Sequence, residues 1–460
     1  MNYDVKFEHN NESEIENFVG IEIFSTSEIE GIGGIYKDSY KDFIVKEIIE
    51  SGKVLEIKED REINPYLPDK DNFTTFNLIK INMDTFKAVK KICRELKIPR
   101  EKIFYSGLKD KCSISVQKIS IKGNYIEDLK NLNIREIFIR SIRPTKKPVN
   151  LGSNRGNNFT IFIRKIEDTL NLKDKIEDTL KKLRNNGFPN YFGLQRFGKY
   201  RPNSHLIGRA LLEEDYEEAF KVFVSHTYSS ESSNLSILRK EIGNSLDNTS
   251  KLKVAYKKFP KSLSYECKLI EHIIQYPGDY KGAFGNLNSD LLNLIINAFQ
   301  SYLFNKMISL RVKKGYPLFQ PVEGDNIGIL DDINGNLTDV RYCYGKNYDN
   351  YLDKAIELNR ATIVVPIIGF DTDLDQFPFM NQLFEEIRKE VNLSPNIFNS
   401  HFLDKYDLKG SIRAQIVKPI GLELVEYSDD EIYPGNKKIK IEFSLNKGSY
   451  ATMLLREIMK

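Results

Sequence analysis

The chain has 460 residues, 40% of them hydrophobic, and a formal net charge of only +3. That leaves room for two or three domains with sizeable cores, and the absence of any apolar run of about 18 residues argues against a membrane span. The polar, acidic start at residues 1–18 has neither a signal nor a transit pattern, which points to the cytoplasm. Cys93, Cys112, Cys267 and Cys343 form no C-x-x-C pair and read as reduced thiols. They and His9, His205, His226, His272 and His401 are scattered without ligand spacing, so no metal is expected.

In chain order, Asp42–Ile48 alternates and is rich in β-branched residues, which predicts a strand. Phe86, Val89, Ile92, Cys93 and Leu96 recur at helical spacing over Thr85–Leu96, with lysines on the opposite face. A short strand at Ile103–Tyr105 leads through the polar turn Ser106–Lys111 into an alternating strand, Ser113–Ile121, and Phe159–Arg164 is a further strand. The pattern then predicts a helix at Leu172–Asn186, closed by Gly187 and stopped by Pro189. From 190 to 418 the signals are mixed. The clearest is a helix at Asp290–Arg311, and Pro366–Asn381 looks irregular. Near the end, Ile439, Ile441, Phe443 and Leu445 alternate with polar residues as in a half-buried strand. Asn446–Gly448 then turns, Ser449 can cap, and Tyr450–Met459 reads as a helix. Clean strands at both ends around a different middle predict a discontinuous α/β (α+β) catalytic domain, 1–189 with 419–460, carrying an inserted domain at 190–418.

Charge is unevenly placed. Lys87–Lys165 holds 20 Lys and Arg against 6 Asp and Glu, a net of +14 that leaves −11 for the rest of the chain. Such a block is the footprint of a polyanion partner, or else a solvated lysine-rich surface.

Asp110 lies in the turn between two strands, flanked by Lys109 and Lys111, and ammonium neighbours favour an ionised carboxylate. Such a group can serve as nucleophile or general base, or it can simply cap a turn. Gly107 would let backbone approach a ligand closely. Asn154–Phe159 offers a guanidinium, amides and a ring that could hold phosphate, read a base edge and stack; equally it is a polar loop before a strand. Asn190–Gly198 sets three aromatics around Gln195 and Arg196, either as a nucleic-acid surface or as a packed junction with Arg196 bonded to backbone. Tyr450 could project into a pocket at a helix start or fill the core. Gly31–Gly34 lacks the ending and helix context of a phosphate loop.

Together these blocks resemble the TruD family of pseudouridine synthases. Ser106–Gln117 is similar to the family's G-x-K-D-x-x-A-x-T-x-Q signature, departing from it at Ser113 for Ala and Ser115 for Thr. Gly156-Asn-Asn-Phe159 with the following strand, Asn190–Gly198, and Phe443–Thr452 with Leu455–Glu457 match three further blocks, and Asn297–Asn305 adds a helical one. The resemblance, spanning about Lys37 to Lys460, implies a pseudouridine-synthase core with a mixed, largely antiparallel sheet plus a family-specific insertion, leaving a cleft that the basic block would line. It implies Asp110 as the catalytic carboxylate. Lys37, Glu47, Asn157 and Phe159 fall at positions lining the family's site, and Tyr450 at its aromatic C-terminal position. Lys109, Lys111 or Lys37 would keep Asp110 ionised, Phe159 or Tyr450 would stack on uracil, and Asn157 and Arg196 would contact RNA. The implied partner is tRNA, usually at uridine 13 though relatives modify other RNAs, with no cofactor and a monomeric enzyme. Two other classes stand beside this reading: an RNA-binding protein without catalysis, against which the intact Asp110 block speaks, and a methyltransferase, for which no suitable glycine loop is present.

Overall fold

The computed structural model describes residues 12–58, 72–198, 201–331, 335–345, 347–395, 397–399 and 408–460; His9 and His401 lie outside them. Its contacts divide the chain into two bodies, one of Phe24–Phe188, Leu330–Asn336 and Val417–Lys460, the other of Met1–Ile23, Pro189–Ile329 and Leu337–Ile416.

The first body is built on β1 (Ile35–Tyr36), β2 (Phe43–Ile48), β3 (Phe73–Ile81), β4 (Ile103–Tyr105), β5 (Ile114–Lys122), β6 (Ile137–Thr145), β7 (Gly156–Glu167), β8 (Ile420–Asp429) and β9 (Asn436–Asn446). The sheet order is β8-β9-β7-β2-β5-β3-β6, with β1 on β7 and β4 on β5. β2 and β5 run parallel and the other pairs antiparallel, so the sheet is mixed and largely antiparallel. The chain's last strand, β9, lies against the twelve-residue β7 near the middle of the sheet.

Helix α1 (Thr85–Leu96) starts where the Asp84 side chain accepts from the Lys87 amide at 2.7 Å, and ends at Lys97 in the left-handed conformation. It buries Ala88, Val89 and Ile92 on Phe76, Leu78 and Ile119 of the sheet, each worth roughly 1.5–3 kcal/mol when large and fully buried. Phe86, expected inward, is 58% exposed; Thr85 takes the buried place because its hydroxyl is bonded beneath the helix. Helix α2 (Leu172–Asn186) ends at Gly187, φ 81, where a Cβ would stand 2.4 Å from the Val417 carbonyl oxygen. In helix α3 (Ala451–Met459) the capping position belongs to Tyr450, whose side chain does not cap the helix, rather than to the expected Ser449.

The second body is mostly helical, with the helices between Ser204 and Gly285 sharing one core with the start of the 25-residue helix Ser289–Lys313. It also carries a four-stranded sheet in the order Leu337–Cys343, Asn326–Leu330, Ala361–Ile367, Ser411–Ala414. Pro366–Asn381, expected to be irregular, contains the end of a strand and the start of the helix Pro378–Glu390, whose first-turn proline loses no helical hydrogen bond. Among the described residues no helix is long and apolar enough to cross a membrane.

Candidate active site

The turn between β4 and β5 has no regular structure of its own, and side chains from its neighbours hold it. Gln117 on β5 donates to the Gly107 carbonyl at 3.1 Å, and the Thr85 hydroxyl on α1 donates to Gln117 Oε1 at 3.0 Å. The same Thr85 oxygen accepts from the Lys109 amide at 3.0 Å. The Asp110 carbonyl takes two donors, Lys80 Nζ at 2.6 Å and Ser113 Oγ at 2.8 Å. Ser113, one of the two departures from the signature, thus supplies a bond that alanine could not.

With its backbone fixed, Asp110 turns a half-exposed carboxylate outward. Oδ2 meets Lys37 Nζ at 2.6 Å. Lys37 is itself held: its backbone is left-handed at φ 60, an uncommon conformation for a side-chain-bearing residue, and its ammonium sits 4.0 Å over the Phe43 ring. Lys37, Lys109 and Lys111 were all candidates for the charge partner, and the geometry gives that place to Lys37. Lys111 is exposed, and Lys109 turns the other way to meet Glu47 Oε2 at 2.7 Å in an almost fully buried pair. Both Glu47 oxygens are engaged, Oε2 accepting also from Ser106 Oγ at 2.7 Å and Oε1 from the Lys118 amide at 3.1 Å.

Register places Asn157 opposite Glu47, and Phe159 opposite Val45 and Phe443, so these residues share one face of the sheet. Phe159 is buried in an aromatic column, edge-on to Phe43 at 6.1 Å and stacked on Phe443 at 5.3 Å. Asn157 Oδ1 is buried with no hydrogen-bond partner. Tyr450 is half-buried at the start of α3, in the same body. Arg155 packs its guanidinium over Gly52, where a Cβ would come within 2.9 Å. Arg196 belongs to the other body. Its guanidinium lies 5.3 Å from the Phe192 ring centre and its Nε has no partner, so the expected bond to backbone is not formed. That block is tied down instead by Asn305, which brackets Phe192, and by Tyr191 bonded to Ser309.

Lys80 and Phe43 are the residues that sequence reasoning passed over. Lys80 is wholly buried, and desolvation pulls its ammonium down to about 8, against the opposing pull of Asp110 and Asp84. Its signal was a lysine between Ile79 and Ile81 in an otherwise uncharged strand, since lysine is almost never fully buried without a partner. The assembled arrangement can hold a carboxylate charged at the mouth of an aromatic-lined face, with an unpaired amide acceptor nearby.

The family model described as tRNA pseudouridine synthase D (TruD) matches residues 18–458. Among curated proteins, "Probable tRNA pseudouridine synthase D" of Methanosarcina mazei is 31% identical, with 97% of this chain and 98% of that one covered. "Probable tRNA pseudouridine synthase D 1" of Methanocaldococcus jannaschii is 32% identical, covering 93% and 96%. The crystal structure of the TruD protein from Methanosarcina mazei superposes with a TM-score of 0.79 at 29% identity, over 97% of this chain and 98% of that one.

Proposed function

The chain belongs to the TruD family of tRNA pseudouridine synthases, and on that premise we propose that it isomerises a uridine of tRNA to pseudouridine through Asp110. The observation that carries this reading is the Lys37–Asp110 pair, which leaves one carboxylate oxygen free beside Phe43 and the Asn157–Phe159 strand. The reaction breaks the bond between N1 and C1′ and forms one between C5 and C1′; C5 gives up a proton and N1 gains one. Substrate and product are isomers, so the balance calls for no redox partner. Asp110 acts at the sugar by one of two routes. As nucleophile it bonds to C1′ while uracil leaves, and C5 of the turned base then displaces it. As base it takes the C2′ proton while uracil leaves, and returns that proton once C5 has added.

The target uridine must leave its stack to reach the carboxylate. Asn157 Oδ1, buried and unpaired, suits the uracil N3–H, and Tyr450 is the proposed stacking surface because both neighbours of Phe159 are other rings. The Lys109–Glu47 pair supports the loop from beneath. The body of 24–188, 330–336 and 417–460 is proposed to carry the chemistry, and the body of 1–23, 189–329 and 337–416, with Arg196, to help bind RNA. We take the enzyme as a cytoplasmic monomer acting on uridine 13, the target the family resemblance implies.

Asp110→Asn keeps the shape of the side chain. It is expected to lower turnover by at least roughly three orders of magnitude while leaving tRNA affinity within about threefold; turnover near wild type overturns the assignment. Deuterium at C2′ separates the routes, because a primary isotope effect appears only where that proton is removed. Pseudouridine mapping in tRNA from cells with and without the protein tests position 13.

A further inference from the structure

A second cavity lies in the same body as Asp110 and belongs to no step described so far. It encloses about 400 Å³, within the range of roughly 300–1,000 Å³ usual for ligand pockets. Its floor is the sheet face opposite α1: Lys118 pairs with Asn77 and Arg143 with Thr75, all on the side away from Phe76, Leu78 and Ile119. Its wall is the loop of residues 146–155, tied at three points. Gly152 N donates to Ser106 O at 2.7 Å, Val149 N to Ser120 Oγ at 2.8 Å, and Arg155 N to Ile48 O at 2.9 Å. The cavity is therefore built in advance.

Three cations line it, Lys118, Arg143 and Lys147, and among the described residues none of them forms an ion pair. Lys118 is half-buried, and its ammonium is pulled below the usual lysine range by desolvation and then by Arg143 beside it. Cations that outnumber the free carboxylates around them in a preformed hollow are arranged for an anion from outside. Two carboxylates also line it: Glu47 already holds Lys109, Ser106 and the Lys118 amide, and Glu50 acts on Lys118 through space without forming an ion pair with any of the three cations, so positive charge remains in excess. Thr75, Thr145 and Ser153 also line it; the first two donate to the Ile119 and Lys147 carbonyls, which leaves their oxygens as acceptors for a ribose hydroxyl. Ser106, on the rim, is in the same turn as Asp110, so chain bound here lies close to chain bound at the carboxylate.

We propose that this cavity is a subsite for the phosphate and ribose of a nucleotide in the same RNA strand as the target uridine, with Lys118, Arg143 and Lys147 on the phosphate. The proposal rests on the reading of the chain as an RNA-modifying enzyme and adds a second point of grip, which fixes the strand's register while the target is turned out.

The test uses the full chain and an unmodified tRNA transcript. Arg143 and Lys147 are exposed, so the double variant Arg143→Gln/Lys147→Gln should fold as the parent does. Its tRNA Kd is expected to rise about tenfold, and the slope of log affinity against log salt to become shallower by about one to two, one for each phosphate no longer neutralised. KM should rise with Kd, while kcat falls less than about threefold. The charge-keeping variant Arg143→Lys/Lys147→Arg should retain the parent's slope. An unchanged slope in the Gln variant overturns the proposal, as does an equal loss in the charge-keeping one, which would mark the residues as structural. Turnover of the parent in the same assay keeps the two readings apart: an inactive parent with a shallower slope in the variant sinks the enzymatic reading and leaves the RNA subsite standing.

Discussion

Two lysine–carboxylate pairs meet at neighbouring residues, and they differ in nearly everything but their chemistry. Lys109 and Glu47 are 4% and 1% exposed at 2.7 Å, whereas Lys37 and Asp110 are 17% and 36% exposed at 2.6 Å. The first pair is out of water, and both oxygens of Glu47 are engaged, so it acts as a clamp whose value lies in never opening. The second pair keeps one partner at the surface with an oxygen to spare, so its charge can meet a ligand. One turn thus fastens itself with one residue and presents the next to solvent.

The contrast breaks most visibly at the clamp. Lys109→Met leaves the Glu47 carboxylate buried without its cation and should lower unfolding free energy by about 3–5 kcal/mol; a denaturant midpoint near the parent's at unchanged m-value would show that the pair is not the fastening. The next effect belongs to Lys80, which stands beneath both pairs. The unfolded chain holds its lysine proton up to the ordinary value of 10.5, and the folded chain releases it at about 8. The unfolded state therefore binds more protons between those values, and stability from this group rises with pH across that window and is lost on return below it. Relative to Lys80→Met, the parent should gain up to about 3 kcal/mol between pH 8 and 10.5; parallel stability curves for the two proteins would contradict it. The smallest effect, and the sharpest for the comparison, comes from Lys37→Gln. Turnover should fall about a hundredfold, near 2.7 kcal/mol in the barrier, while stability changes by less than about 1 kcal/mol because the pair is partly exposed. A stability loss matching that of Lys109→Met would erase the distinction between the pairs.

Much of this architecture was legible because local pattern and tertiary role coincide. α1 and α2 fall within their predicted bounds since each has one apolar stripe and an end signal, Lys97 aside. β3 was missed for the opposite reason: seven of its nine residues are buried, so the alternation that marks β2 and β9 is absent. Phe86 misled because helical spacing identifies a stripe but not its edge, and the edge here is set by the Thr85 hydrogen bonds. At the site, Asp110 was singled out by its signature, while its partner stayed open among three lysines. Lys109 and Lys111 are adjacent in the chain, yet Lys37 arrives from 73 residues away, and only the sheet's strand order brings it there. Lys80 carried a visible sign that local reasoning does not weigh, a lone charge inside an otherwise uncharged strand.

The position of β9 has a consequence for how the protein is made. β7 leaves the ribosome with one flank open, and the strand that covers it, together with the Phe443 ring lying on Phe159, follows only after the whole of the second body has been synthesised. A nascent chain of this kind carries an uncapped strand edge for most of its synthesis, a hazard for aggregation that a chaperone or fast folding of the intervening helices must contain. It also means that the half-made enzyme, for all that Asp110 is translated early, has no finished surface on which to work.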